Sequence, residues 1–433
     1  MRIGIGIGRR VRRAAVICGL VSVGVAAPAS AATWTTQTMP GPSGPPNTAA
    51  TAVSCTSATF CTAVGSSDFG YDHSKTMLVG PFATFAERWD GSAWWLLPAP
   101  SAGPAPTLVA LSCASPTFCV AVGSTHTLGR LALEGFGGGT GTRAVLEVWN
   151  GTAWSVRPTP LGSVHGSGLS GVSCVSSSFC IAVGSTGLQI AAALQFNGQT
   201  WKRIPLPRVR WGPTLTAISC AATTNCTAVG SYDVNKVGVA DLRPLAMRWT
   251  GGGHWTVAKP PAERDRFHGK TFSNFTWLTS VSCPSRTSCL ATGLTLRTQN
   301  FYPQGGFADR WNGKRWSTAT TGLGHNSPLN GVSCVAVDDC YAAGQFDPRL
   351  VPRPSAQAPL VTHWAAGRWT RVALPAVPTL PNVEWFEDNL LDPNLFGISC
   401  VLSVGCTAVG AQPQGTQSTP LAMSDLAIPN PGG

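Results

Sequence analysis

Charge is scarce in this chain. Asp, Glu, Lys and Arg make up 11% of its 433 residues, and beyond residue 31 no block of like charge stands out, so the clustered cations of a nucleic-acid binder are missing there. Histidine is sparse too: His73, His126, His165, His254, His268, His325 and His363 stand singly, without the short-spaced pair that copper or zinc would need. The tyrosines, Tyr71, Tyr232, Tyr302 and Tyr341, show no evident pairing. No metal and no cofactor is expected from such a set. Long apolar runs are lacking as well. The one sustained stretch, residues 14–27, is too short to span a bilayer comfortably, and no transmembrane segment is expected.

What that stretch does resemble is an export signal. Arg9, Arg10, Arg12 and Arg13 precede it, and Ala29-Ser30-Ala31 offers a small-residue cleavage site, so residues 1–31 are expected to be a signal peptide and the protein to be secreted. Residues after Arg9-Arg10 fit a twin-arginine signal poorly. Cleavage would remove five arginines and no acid, lowering the formal charge from +11 to +6, and would take Cys18 with it. Fourteen cysteines remain.

Those fourteen are ordered. Seven times a Ser-Cys is followed by a second Cys six positions on, which opens an Ala-Val-Gly-like segment: Cys55 and Cys61, Cys113 and Cys119, Cys174 and Cys180, Cys220 and Cys226, Cys283 and Cys289, Cys334 and Cys340, Cys400 and Cys406. The spacing matches no common zinc motif, and an oxidising compartment favours disulfides, one within each repeat. Copies recur every 46 to 66 residues, which is the signature of a repeat architecture.

The second copy shows the unit. Residues 109–113 and 119–123 read as strands A and B around a turn of Ala114-Ser115-Pro116-Thr117-Phe118, and residues 145–149 as strand C. Asn150-Gly151 reads as a two-residue hairpin turn with φ > 0 at both positions, leading to strand D over residues 152–157. Four-stranded meanders repeated seven times make an all-β, seven-bladed β-propeller over residues 32–428, with 429–433 as a disordered tail. Twelve of the sixteen Trp fall at repeat positions, where they are expected to pack between blades. The seventh copy lacks a strand D, and residues 33–40 look like the missing one, so the N-terminal strand is expected to complete the last blade and close the ring.

The block from Gly123 through Trp154 to Pro160 resembles a kelch repeat, with one glycine where kelch has two and an added cysteine pair. Beyond the signal, the chain is similar over all seven copies to exported actinobacterial repeat proteins carrying Ser-Cys-x5-Cys-x-Ala-Val-Gly and Leu-Ala-x-x-Trp-Asn-Gly-x-x-Trp. That resemblance implies the fold and brings no activity with it. Two catalytic propeller families set the alternative, a sialidase-like glycoside hydrolase or a kelch-type oxidase. Asp90-Gly91-Ser92-Ala93-Trp94 lacks the leading serine and one intervening residue of a sialidase box, and no Tyr-His set matches the oxidase copper site.

Loop lengths point to one end of the fold. The A–B and C–D turns are nearly constant, whereas strand B to the aromatic of strand C runs from 12 residues after Gly184 to 26 after Gly123. A scaffold with one uniform end and one variable end presents ligand sites on the variable one. Four Trp fall outside the repeat pattern. Trp95 abuts a strand D; Trp211, Trp277 and Trp385 are read into D–A connections, near Arg208, Arg210, Phe272, Phe275, Glu384, Phe386, Glu387 and Asp388. The candidate ligand contacts are Trp211, Trp277, Trp385, Phe386 and Arg210, unless the long loops simply bury their own aromatics. The expected function is a monomeric, exported binding module for an extracellular polysaccharide, cell-wall component or protein, without nucleic acid.

Overall fold

In a computed structural model the two halves of each Ser-Cys-x5-Cys segment run antiparallel, and the strands continue through the cysteines. The second repeat is representative, with strands Pro106–Ser115, Phe118–Thr125, Arg143–Trp149 and Trp154–Val156. Strands A and B are therefore longer than their sequence signal, and the expected five-residue A–B loop is a two-residue turn. Disulfides join the cysteines of every repeat, with Cα separations of 3.9–4.0 Å.

The structure describes residues 33–426 apart from 44–46, 69–70, 73–76, 79–82, 100–101, 104, 126–141, 162–165, 188–189, 235–240, 263, 268–269, 274, 297–302, 324–326, 347–357, 379–392 and 415–416. The expected signal peptide (1–31) and tail (429–433) lie outside the described residues. The described residues are all β: five four-stranded antiparallel sheets, one eight-stranded sheet and two short hairpins, the repeated blades of a β-propeller. No helix among them is long and apolar enough to cross a membrane.

The eight-stranded sheet joins the first and seventh repeats. Asn394–Val401, Gly405–Gln414 and Gln417–Ser424 are followed on the outside by Thr35–Thr38, in antiparallel register from Thr35↔Ser424 to Thr38↔Leu421. The N-terminal strand thus occupies the position of a seventh strand D. A single parallel pairing, Asn47↔Ser418, links this unit to the first repeat.

The C–D turn differs from the two-residue form expected. Trp149 pairs directly with Trp154, and four residues turn between them, Gly151 alone at φ +97. Asn150 Oδ1 accepts the Thr152 and Ala153 N–H groups, an Asx turn that replaces the second left-handed residue. The same geometry puts the two aromatics of strands C and D side by side in six repeats, ring centroids 5.2–5.9 Å apart. All twelve repeat-position Trp are at most 9% exposed. Trp149 and Trp154, for example, pack on Ala52, Val64 and Ala86 of the preceding repeat.

Two features of the repeat motif acquire a reason. The serine before each first cysteine accepts, through Oγ, the N–H of the corresponding cysteine one repeat on: Ser54 from Cys113, Ser112 from Cys174, Ser173 from Cys220, Ser219 from Cys283, Ser282 from Cys334, Ser333 from Cys400 and Ser399 from Cys55, all at 2.9–3.0 Å. Each strand A also carries a bulge, at Thr51, Val109, Ser170, Thr216, Thr279, Asn330 and Phe396. Behind the bulge the A-strand carbonyl presses on the Gly of Ala-Val-Gly, so a Cβ at Gly123 would collide with the Thr107 oxygen and one at Gly410 with that of Asn394. Thr51, Ser170, Thr216 and Thr279 use the bulge to donate to the leucine carbonyl of the next repeat, at 2.6–2.8 Å. A cavity of about 160 Å³ is lined by three residues from each of the seven A strands.

Candidate functional site

The D–A connection before the fourth repeat reads Pro205-Leu206-Pro207-Arg208-Val209-Arg210-Trp211-Gly212. Its prolines remove backbone donors and keep it out of the ladder. Leu206 and Val209 pack on the core cluster around Leu245 and Trp249, which leaves Arg208, Arg210 and Trp211 outward. Trp211 is 38% exposed and sits at φ +58, a left-handed backbone that a bulky residue adopts only when its surroundings hold it there. The holder is strand Asn225–Asp233: the Asp233 N–H donates to the Trp211 carbonyl at 3.0 Å.

Asp233 also organises the start of the B–C connection. Its Oδ1 accepts the Asp241 N–H at 2.9 Å, and Asp241 Oδ2 accepts from the Arg243 guanidinium at 2.8 Å. Arg243 pairs across the strands with Tyr232, whose ring carries Lys259 Nζ at 4.8 Å from its centroid. An aromatic face, two outward arginines and hydrogen-bonded carboxylates thus meet at the variable end of one repeat. Such a set can offer a ligand both apolar and polar contacts. Arg210 and Trp211 were legible in the sequence as loop residues off the repeat. Tyr232, Asp233, Asp241, Arg243 and Lys259 were not, because only strand register brings them together.

Trp277 corrects an expectation. It lies in strand Phe275–Ser285, paired with Leu294 and half-buried, and not in a connection. The connection is occupied by an extra hairpin, Arg264–Phe267 with Lys270–Ser273, and strand A starts earlier than its cysteine suggests. Trp385 and Phe386, with Glu384, Glu387 and Asp388, lie outside the described residues.

Tyr341 and His363, read as solitary, are cross-strand partners stacked at 4.2 Å, and His363 Nε2 is 2.7 Å from Asp339 Oδ1. Burial raises the Tyr341 hydroxyl, and Asp339 and Asp425 add to the shift. Among the described residues no three His, Cys, Asp or Glu side chains lie close enough to hold a metal ion.

Two glutamates stand two positions before the strand C aromatic in neighbouring repeats. Glu87 and Glu147 are at most 1% exposed, and burial raises each from the usual 4.5 to about 7; for Glu87 the Gly41 N–H, donating at 2.8 Å, offsets part of the rise. Both therefore keep their protons in the folded chain up to about pH 7, while the unfolded chain releases them near 4.5. Between those values the folded state binds more protons, so stability must fall as pH rises, by about 3 kcal/mol per group. Urea midpoints of the wild type should drop from pH 4.5 to pH 8 more steeply than those of Glu147→Gln. Parallel curves would show that Glu147 titrates normally.

Neither a protein-family profile nor a curated protein sequence matches the chain. Among solved structures it is similar to YCF48 from Cyanidioschyzon merolae, with 10% identity and a TM-score of 0.47 over 91% of this chain and 98% of that one. It is similar to Trypanosoma rangeli sialidase in complex with 2,3-difluorosialic acid, with 10% identity and a TM-score of 0.46 over 89% of this chain and 54% of that one. The SapL1 lectin in complex with alpha methyl fucoside gives 11% identity and a TM-score of 0.42 over 76% and 97%. The chain spans about half the length of the sialidase. At such identities no residue role transfers.

Proposed function

We propose that this is an exported, disulfide-stapled propeller of seven blades that binds an extracellular polysaccharide, cell-wall component or protein at its variable-loop end. The seven-bladed closed ring is supported by the serine-to-cysteine hydrogen bonds, which run through every repeat and return from Cys55 to Ser399. It is supported equally by the cavity to which all seven A strands contribute. Export is supported by the residues of the N-terminal segment and by the seven disulfides.

The observation that carries the binding role is Trp211, exposed in a left-handed backbone and held by Asp233. A strained, exposed aromatic is costly to keep for packing alone. The test is a glycan array probed with the chain from residue 32 onward. Trp211→Ala is expected to weaken the strongest array signal at least 30-fold, corresponding to about 2 kcal/mol for an interface aromatic, with melting unchanged. Leu402→Ser, in an exposed A–B turn at the other end of the strands, should leave binding intact. Normal binding by the Trp211 variant with loss in the Leu402 variant would place the site at the wrong end.

A further inference from the structure

Trp95 is the most exposed tryptophan of the described residues, at 55%. It follows the buried Trp94 in strand Trp94–Leu97, the outer edge of the first repeat. The equivalent residues of the other repeats are Ser155, Lys202, Thr256, Ser317, Thr370 and, in the N-terminal strand, Thr35, by strand register. Four of these hydroxyls turn back on a strand C carbonyl. A large apolar ring at this position departs from the repeat, and core packing gives no reason for it.

The same repeat departs once more, five residues earlier in the chain. Asn150, Asn197 and Asn312 begin the C–D turns of three repeats, each using Oδ1 to accept two backbone N–H groups. In the first repeat that residue is Asp90, whose Oδ1 accepts the Ser92 and Ala93 N–H groups in the same way. The change leaves a second oxygen where asparagine has an NH₂. That oxygen, Oδ2, accepts the Trp95 indole N–H at 2.6 Å. An amide nitrogen there would confront one donor with another. The Ser92 hydroxyl also donates to Oδ1, at 2.7 Å, and the four hydrogen bonds together hold the Asp90 carboxyl well below the usual carboxylate range, so it stays ionised and keeps accepting.

We infer that Trp95, locked by Asp90, is a stacking platform for a pyranose ring of a neutral polysaccharide, a second binding site separate from the loop-end site. The indole is pre-ordered, so little rotamer freedom remains to be lost on binding. Its π face is negative and suits the slightly positive C–H face of a pyranose. The Asp90 carboxylate and Arg88, which pairs across the strands with Trp95, provide polar partners for ring hydroxyls, and their opposite charges leave the platform without a net preference for an acidic sugar. A protein partner would call for a broad apolar patch around the ring; the exposed apolar surface in this strand is limited to Trp95 and Leu96, and Asp90 and Arg88 adjoin the ring.

Depletion isotherms on microcrystalline cellulose and on chitin, read with the chain from residue 32 onward, decide the matter. Wild type is expected to bind at least one polymer, Trp95→Ala to bind at least 10-fold more weakly, and Asp90→Asn about threefold more weakly, with all melting temperatures unchanged. Val337→Ser, in an exposed A–B turn of the sixth repeat, should bind the polymer as wild type does. Wild-type binding by Trp95→Ala, or no binding of wild type to either polymer, overturns the proposal. So does loss of self-association in sedimentation on Trp95→Ala, which would make the ring a contact between copies. Loss with Trp211→Ala alone would leave the loop-end reading standing and overturn this one.

Discussion

A chain beginning at residue 42 is expected to lose most of its cooperative unfolding transition. Four attachments go with the missing segment. Trp34, 4% exposed, leaves the cluster of Leu395, Leu421 and Met423, and Met39, 6% exposed, leaves that of Trp89, Trp94 and Ala422. Gln37 no longer accepts the Trp94 indole N–H, and buried Glu87 loses the Gly41 N–H. Truncating a buried Trp costs about 3–5 kcal/mol and a buried Met about 2–5. Together these rival the roughly 5–15 kcal/mol that holds a typical domain folded. Strand Gln417–Ser424 would also become an open edge. Calorimetry should show a broadened transition at much lower temperature, and Trp34→Ala alone should cost about 3–5 kcal/mol in urea. Unchanged melting of the shortened chain would mean that the strand is dispensable and that the ring, if closed, closes elsewhere.

Reduction of the seven disulfides is expected to have the other large effect. Each closes a loop of seven residues, for which chain entropy alone predicts about 2.3 kcal/mol. Seven such terms sum to roughly 16 kcal/mol, at or beyond the stability of an ordinary domain. The second cysteine of every pair is at most 2% exposed, so a reductant reaches it only after local opening. Reduction should therefore be slow in buffer and fast in mild denaturant, followed by loss of the near-ultraviolet Trp signal. Replacing Cys220 and Cys226 together by Ala should lower urea stability by about 2 kcal/mol. A reduced protein that melts like the oxidised one would show that packing carries the fold without the bridges.

Much of the fold was legible in the chain because its information is local. A Cys and its partner lie six positions apart, the strand C aromatic and the strand D Trp lie five or six apart, and a hairpin puts such neighbours in contact whatever surrounds it. The incomplete seventh repeat and the matching residues 33–40 were visible on the same ground, as a missing and a surplus copy of one pattern. Local signals also misled. Asn150-Gly151 suggested the shortest hairpin, but the Asn150 side chain holds a four-residue turn open, and Trp277 looked like a loop residue only because its strand begins before any motif does.

The contacts between repeats were decided in three dimensions. Nothing near Ser54 shows that its hydroxyl serves Cys113, nor near Glu87 that it will be sealed from water and keep its proton. Sequence spacing states which residues are neighbours along a strand. Which side chains meet across two sheets depends on twist, on the bulge at residues such as Thr51, and on the register of separate hairpins. The candidate site divides the same way. Trp211 and Arg210 stand out along the chain as departures from a repeat, whereas Asp233, which fixes the Trp211 backbone, is found only through a hydrogen bond between segments 22 residues apart. Repetition along the chain specifies the blade, and the free energy of burying one blade against the next selects everything that lies between them.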